Sequence, residues 1–142
     1  MKSAARTHQA PSPSRAEERG GTETILLLED DQVTRALTRM ILEDLGYRVL
    51  SAETGRHAAQ LNRSFDGEIH LLLSDIMIPD GNGVDWARRL RGDRPRMSTV
   101  FMSAYSREAL KREGIPDPGQ PFLRKPFPAA VLAWTLREVL DA

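Results

Sequence analysis

The sequence has no cysteine, no surplus of charge and no long apolar run, and each absence removes a class of function. Without cysteine there is no disulfide, thiolate zinc site or cysteine nucleophile. A reducing compartment is compatible with that composition. Lys plus Arg and Asp plus Glu number 20 each, so no global field draws the chain to nucleic acid, a membrane surface or an acidic protein. The apolar runs are far shorter than the roughly 20 residues that cross a bilayer, and no membrane insertion is expected. No apolar core follows the charged N-terminus, so no secretory signal is visible and the expected location is cytoplasmic.

Residues 1–21 also lack an apolar face. Pro11, Pro13, a charged cluster from Arg15 to Arg19, and Gly20 and Gly21 predict a disordered or linker segment. The remaining 22–142 are long enough for one hydrophobic core.

What is present is a series of short apolar runs, organised around LLLSDIMIPDG at residues 71–81. An apolar run with no polar alternation predicts a parallel strand buried on both faces, and open α/β sheets place their chemistry at the C-terminal ends of such strands. This one delivers Asp75 to that end. TILLLEDD does the same earlier and delivers Glu29, Asp30 and Asp31. Further strands are predicted at 47–52, 99–103 and 122–124, the last two ending at Ser103 and just before Lys125.

Helical spacing fills the gaps. Val33, Leu37, Met40, Ile41 and Leu45 recur every three or four residues and predict an amphipathic helix over 32–45 with these residues as its apolar face. Asp31 is placed to cap it, and Gly46 to end it. A second helix is predicted over 54–62, a third over 84–90, a short fourth over 107–113, and a last over 128–140 with Val131, Leu132, Leu136, Val139 and Leu140 inward. Gly81 and Gly83 in the loop after Asp75 suggest backbone at positive φ. Trp86 and Trp134 are expected to pack in or against the core. Five β-α units imply a parallel sheet with helices on both faces, joined by right-handed crossovers.

The strand ends then line up as Glu29 and Asp30, Asp75, Ser103 and Lys125 on one rim. Three carboxylates without histidine or cysteine repel one another unless a hard cation sits between them, and Mg²⁺ suits an all-oxygen set. Singly, each residue has a plainer reading: an Asp after a strand is usually a turn or cap residue, and a lysine before proline is usually solvated. Jointly, an acidic pair, an aspartate, a hydroxyl and a lysine ending four separate strands make a site for an incoming anion such as a phosphoryl group. Asp75 is then the nucleophile, with Ser103 and Lys125 as donors to the transferring oxygens.

These motifs resemble the receiver domain of two-component signal transduction. The likeness covers about residues 23–141 and rests on ILLLEDD, LLLSDIMIPDGNG, VFMSA and FLRKPF, with intervals of 45, 28 and 22 residues between Asp30, Asp75, Ser103 and Lys125. It implies a flavodoxin-like five-stranded sheet of order 2-1-3-4-5. By the resemblance Asp75 accepts a phosphoryl group from a sensor histidine kinase or a histidine phosphotransfer domain, with Mg²⁺ held by Glu29, Asp30, Asp75 and the main-chain oxygen of Met77. Ser103 and Phe122 match the switch pair, Ala104 the small residue beside the phosphate, Gly83 the loop glycine, and Lys125-Pro126 the family's cis bond.

Tyr105, two beyond the hydroxyl residue, is placed to tune hydrolysis, and its run with Ser106 is similar to receivers of hybrid sensor kinases. The output surface is expected on the fourth helix, fifth strand and fifth helix, where Arg107, Lys111, Arg124 and Arg137 are candidate contacts. The chain is expected to act as a monomer or weak homodimer, catalysing its own phosphorylation and dephosphorylation rather than working as an enzyme on a separate substrate. A docking module that kept the fold without phosphorylation is the alternative. An aspartate-nucleophile phosphatase would want a second Asp at position 77, which is Met, and a substrate cap, which no insertion supplies.

Overall fold

In the computed structural model, residues 20–119 and 121–142 are described. The predicted linker therefore lies, apart from Gly20 and Gly21, outside the described residues. Those two glycines are already tied to the domain: the Gly21 N–H donates to Leu45 O at 3.0 Å, and the Arg137 guanidinium reaches Gly20 O.

The apolar runs become β1 (Thr24–Leu28), β2 (Arg48–Ala52), β3 (Leu71–Asp75), β6 (Ser98–Ser103) and β7 (Phe122–Arg124). They form one all-parallel sheet in the order β2-β1-β3-β6-β7, which is the expected 2-1-3-4-5 counted over its five strands. Every residue of β1 and β3 is buried, as a strand covered on both faces requires. A two-residue antiparallel ribbon, β4 (Met77–Ile78) with β5 (Gly81–Asn82), was not anticipated and braces the loop after Asp75.

Among the described residues five helices cover the sheet: α1 (Gln32–Asp44), α2 (Gly55–Ser64), α3 (Gly83–Asp93), α4 (Arg107–Arg112) and α5 (Ala129–Leu140). Side chains alternating out of the strands split the core in two. Leu26, Leu28, Leu72 and Phe101 meet Ala58, Val84, Ala87, Leu90 and Leu110 from α2, α3 and α4. Ile25, Leu27, Leu71, Leu73, Val100 and Met102 meet Leu42 of α1 and Leu132 and Leu136 of α5. No described helix is long and apolar enough to cross a membrane.

Three sequence expectations are corrected. In α1 the buried residues are Thr38 and Leu42, while Val33, Leu37 and Met40 are 67%, 54% and 55% exposed. Apolar residues spread over more than half the circumference of this helix, so periodicity alone could not choose the inward side. On α5, Ala133 is buried instead of Val131, and Trp134 stands half exposed. Of the two loop glycines only Gly81 has positive φ, at 136°. Gly83 is required for a different reason: a Cβ there would lie 2.2 Å from the main-chain oxygen of Asp75.

Candidate functional site

Parallel register brings the strand tips together. Leu28 pairs with Ser74, so Glu29 and Asp30 leave β1 beside Asp75; Asp75 pairs with Met102, and Ser103 with Arg124, one residue before Lys125. The Lys125-Pro126 bond is cis, as the motif implied. The Lys125 N–H donates to Ser103 O at 2.8 Å, fixing the loop that carries the ammonium.

At the rim one carboxylate oxygen from each of Glu29, Asp30 and Asp75 lies within 4.8 Å of the others. The Lys125 ammonium bridges two of them, donating to Asp75 Oδ2 at 2.6 Å and Glu29 Oε1 at 2.5 Å. Glu29 is fully buried and Asp75 nearly so, whereas Asp30 faces solvent. Burial raises the Glu29 carboxyl above its ordinary range, and the bonds to Lys125 only partly offset that. Burial pulls Lys125 the other way, but its hydrogen bonds to Asp75 and Glu29 outweigh it and hold the ammonium charged.

Counted formally, one ammonium against three carboxylates gives the cluster two negative charges. An all-oxygen donor set of that charge fits a hard divalent cation. The sequence assigns Mg²⁺ to these three carboxylates and to the main-chain oxygen of Met77. Met77 sits two residues beyond Asp75, its N–H donating to Asp75 Oδ1 at 3.2 Å and so orienting the carboxylate.

Ser103 is fully buried on the neighbouring strand, and its Oγ accepts the Tyr105 N–H at 2.9 Å. Tyr105 itself is half exposed and shares an open cleft of about 270 Å³ with Met77, Ala109 and Arg112. Phe122 is half-buried against the core on the α2–α4 face, with the Arg107 guanidinium 4.8 Å from its ring centroid. Arg107, Lys111 and Arg124 are exposed, and Arg124 donates to Ala104 O. Arg137 faces inward, forking onto both oxygens of Glu23 at 2.9 and 2.8 Å and reaching Asp141 at 2.7 Å.

Sequence reasoning missed three supports. The Arg35 side chain donates to Glu29 O and Asp30 O, satisfying carbonyls where β1 frays into the acidic turn. Asp80 accepts from the Gly55 and Arg56 N–H groups at the start of α2, tying the loop after Asp75 to a helix N-terminus. Burial works against the Asp80 anion, but those two amides prevail and hold its carboxyl below the usual range. Trp86 lies against Gly55, where a Cβ would come 2.1 Å from its ring, and its indole donates to Asp80 O. The spacing of Arg35 from the acidic pair was readable as a helical turn; the contacts of Asp80 and Trp86 with Gly55 join distant segments and left no periodic trace.

A doubly wound parallel sheet with an aspartate, an acidic pair, a buried hydroxyl and a lysine at its C-terminal rim defines the receiver class. The model of the response regulator receiver domain family matches residues 25–137, and the chain belongs to that family, a domain of two-component systems. Among curated proteins it is 32% identical over 127 residues to the sensor kinase CckA of Brucella abortus, covering 89% of this chain and 13% of that protein. It is also 32% identical over 120 residues to the aerobic respiration control protein ArcA of Escherichia coli, covering 84% and 49%. The chain thus spans half or less of these relatives.

Among solved structures it resembles a CheY-like receiver domain protein from Methanospirillum hungatei with a TM-score of 0.73 at 25% identity, covering 85% of this chain and 95% of that one. The receiver domain of the hybrid histidine kinase CckA matches with a TM-score of 0.70 at 29% identity, covering 82% and 98%.

Proposed function

We propose that this domain takes a phosphoryl group from a phosphohistidine onto Asp75 and signals the change through its α4-β7-α5 surface. The carrying observation is the Lys125 ammonium held between Asp75 and the fully buried Glu29. In this reading an Asp75 carboxylate oxygen attacks phosphorus, the P–N bond to the histidine breaks with its electron pair passing to the imidazole, and an acyl phosphate forms. Lys125 is placed to pair with one equatorial oxygen, and Ser103 to donate its hydroxyl to another after turning from the Tyr105 amide. Mg²⁺, when bound by Glu29, Asp30, Asp75 and the Met77 main-chain oxygen, supplies neutralisation of the phosphoryl charge. Glu29 is placed to act through water.

Phe122 has no hydroxyl, so its part in the switch is packing: space vacated by Ser103 admits the ring. Tyr105 and Met77 flank the site and set access of water to the acyl phosphate. Arg107, Lys111 and Arg124 present charge on the output face, while Arg137 contributes by holding α5 to the start of β1. The donor is a sensor histidine kinase or a histidine phosphotransfer domain, by likeness to the CckA receiver, and the setting is cytoplasmic. The exposed Val33, Leu37 and Met40 on α1 begin two residues after the acidic turn and offer the donor an apolar landing beside Asp75.

The test is phosphotransfer. Mixed with a phosphorylated histidine donor and Mg²⁺, the domain is expected to drain label from the donor, and Asp75→Asn is expected to leave the donor labelled. A domain that binds the donor equally well but never takes its label would establish the docking-module reading instead.

A further inference from the structure

The switch ring of this chain is covered by a charge. The Arg107 guanidinium lies 4.8 Å from the Phe122 ring centroid, within cation-π range, and donates to Asp117 Oδ1 at 2.9 Å. Asp117 is fixed in turn by accepting the Gly119 N–H at 3.1 Å, in a tight turn where Gly119 has positive φ. The first residue of α4, the ring of β7 and the loop between them are therefore linked through one side chain. The Arg107 side chain is 46% exposed and lies at the surface of the domain. The Ser106 hydroxyl caps α4 just before Arg107, accepting the Ala109 N–H at 3.0 Å.

We propose that Arg107 is a positioning residue for Phe122, clamping the ring in its present half-buried place so that phosphorylation must break a cation-π contact before the ring turns inward. The inference rests on the phosphoacceptor reading and deepens it. A phenolic hydroxyl could anchor a switch ring by a hydrogen bond; Phe122 has none, and the guanidinium supplies a hold of comparable size on the π face instead. Because the clamp favours the unphosphorylated arrangement alone, linkage requires that its loss tighten binding of anything that favours the phosphorylated one.

The experiment titrates the whole domain with beryllofluoride and Mg²⁺, a mimic of the acyl phosphate, following binding by calorimetry. Arg107→Gln is expected to bind beryllofluoride roughly 2- to 10-fold more tightly than the unaltered domain, the range of one exposed cation-π contact with a surface ion pair. Arg107→Lys should stay near the starting affinity, and Asp117→Asn, which loosens the tether, should shift part of the way. A double-mutant cycle separates the clamp from a general effect: in a Phe122→Leu background, which has no π face, Arg107→Gln should change nothing. Unchanged affinity in Arg107→Gln, or the same gain with Leu at 122, overturns the clamp while leaving the phosphoacceptor reading intact. Failure of the unaltered domain to bind beryllofluoride overturns both.

Discussion

Lys125 Nζ stands 2.6 Å from Asp75 Oδ2, closing a strand-to-strand ion pair whose other arm reaches the buried Glu29. The ammonium holds two carboxylates that would otherwise repel each other, and it stands where a phosphoryl oxygen on Asp75 would need a positive partner. In the proposed phosphoacceptor reading the one contact serves both the fold and the transfer.

Lys125→Met is therefore expected to cost both stability and reaction. Removing one partner of a buried pair costs about 3–5 kcal/mol, and with 18% of the Lys125 side chain exposed the loss here should fall near the lower end of that range. Thermal unfolding with and without Mg²⁺ checks it: the variant should melt lower in chelator and recover more on adding Mg²⁺ than the unaltered domain does. Phosphoryl uptake should fall by about 10²-fold or more. An unchanged melting temperature in chelator would contradict the account of the pair.

Asp30 is the solvent-facing member of the acidic cluster, so its charge can be removed with little disturbance to the packing beneath. Asp30→Asn should weaken Mg²⁺ binding by at least about tenfold, since one ligand carboxylate loses its charge, while the fold stays within about 0.5 kcal/mol. Calorimetric titration with Mg²⁺ reads the first, and denaturant unfolding in chelator the second.

How much of this was legible beforehand divides by the range of the interaction. The strands and the acidic, aspartate and lysine tips were readable because parallel strands buried on both faces leave uninterrupted apolar runs, and the residue after each run emerges on one rim. The Asp31 cap was equally local, and Asp31 does accept the Thr34 N–H at 2.8 Å. The inward side of α1 was not readable, since Val33, Leu37 and Met40 satisfy the same spacing as Ile41 and Leu45. Only packing against β1 and α5 decides for Leu42. The Asp80 bond to the α2 amides and the inward fork of Arg137 join residues 25 and 114 positions apart, where no pattern in the chain announces them.

Gly83 and Gly92 offer a paired test of backbone approach. Gly83→Ala drives a methyl into the Asp75 carbonyl, 2.2 Å away, and should destabilise by about 1–3 kcal/mol or more while displacing Asp75. Gly92, also in α3, has nothing within 4 Å of an added Cβ, and Gly92→Ala should stabilise by about 0.5–1 kcal/mol. Equal effects at the two positions, measured by denaturant midpoint, would contradict the close approach at Gly83.

The pair between Glu23 and Arg137 sets an acid limb of stability. Hydrogen bonds from Arg137 hold the Glu23 carboxyl below its ordinary 4.5, against a smaller push from burial. A carboxyl lowered on folding contributes fully above its unfolded value and loses that contribution as pH falls through its folded value. Glu23→Gln should thus melt lower than the unaltered domain at neutral pH, with the gap closing as the pH drops below 4.5. A gap independent of pH would show that the carboxylate charge is not what Arg137 holds.

The α1 stripe separates docking from chemistry. Leu37 is 54% exposed, so Leu37→Ser should leave stability within about 0.5 kcal/mol. Transfer from a phosphohistidine protein should slow, whereas uptake from a small phosphodonor should not, and the ratio of the two rates is the measurement. Parallel losses in both would place Leu37 in the chemistry rather than in the landing surface.

The most direct measurement for the central claim is the intact mass of the domain after incubation with Mg²⁺ and a small phosphodonor. The account predicts a gain of one phosphoryl group, lost in chelator and absent in Asp75→Asn. The same gain in Asp75→Asn, or none in the unaltered chain, would contradict it.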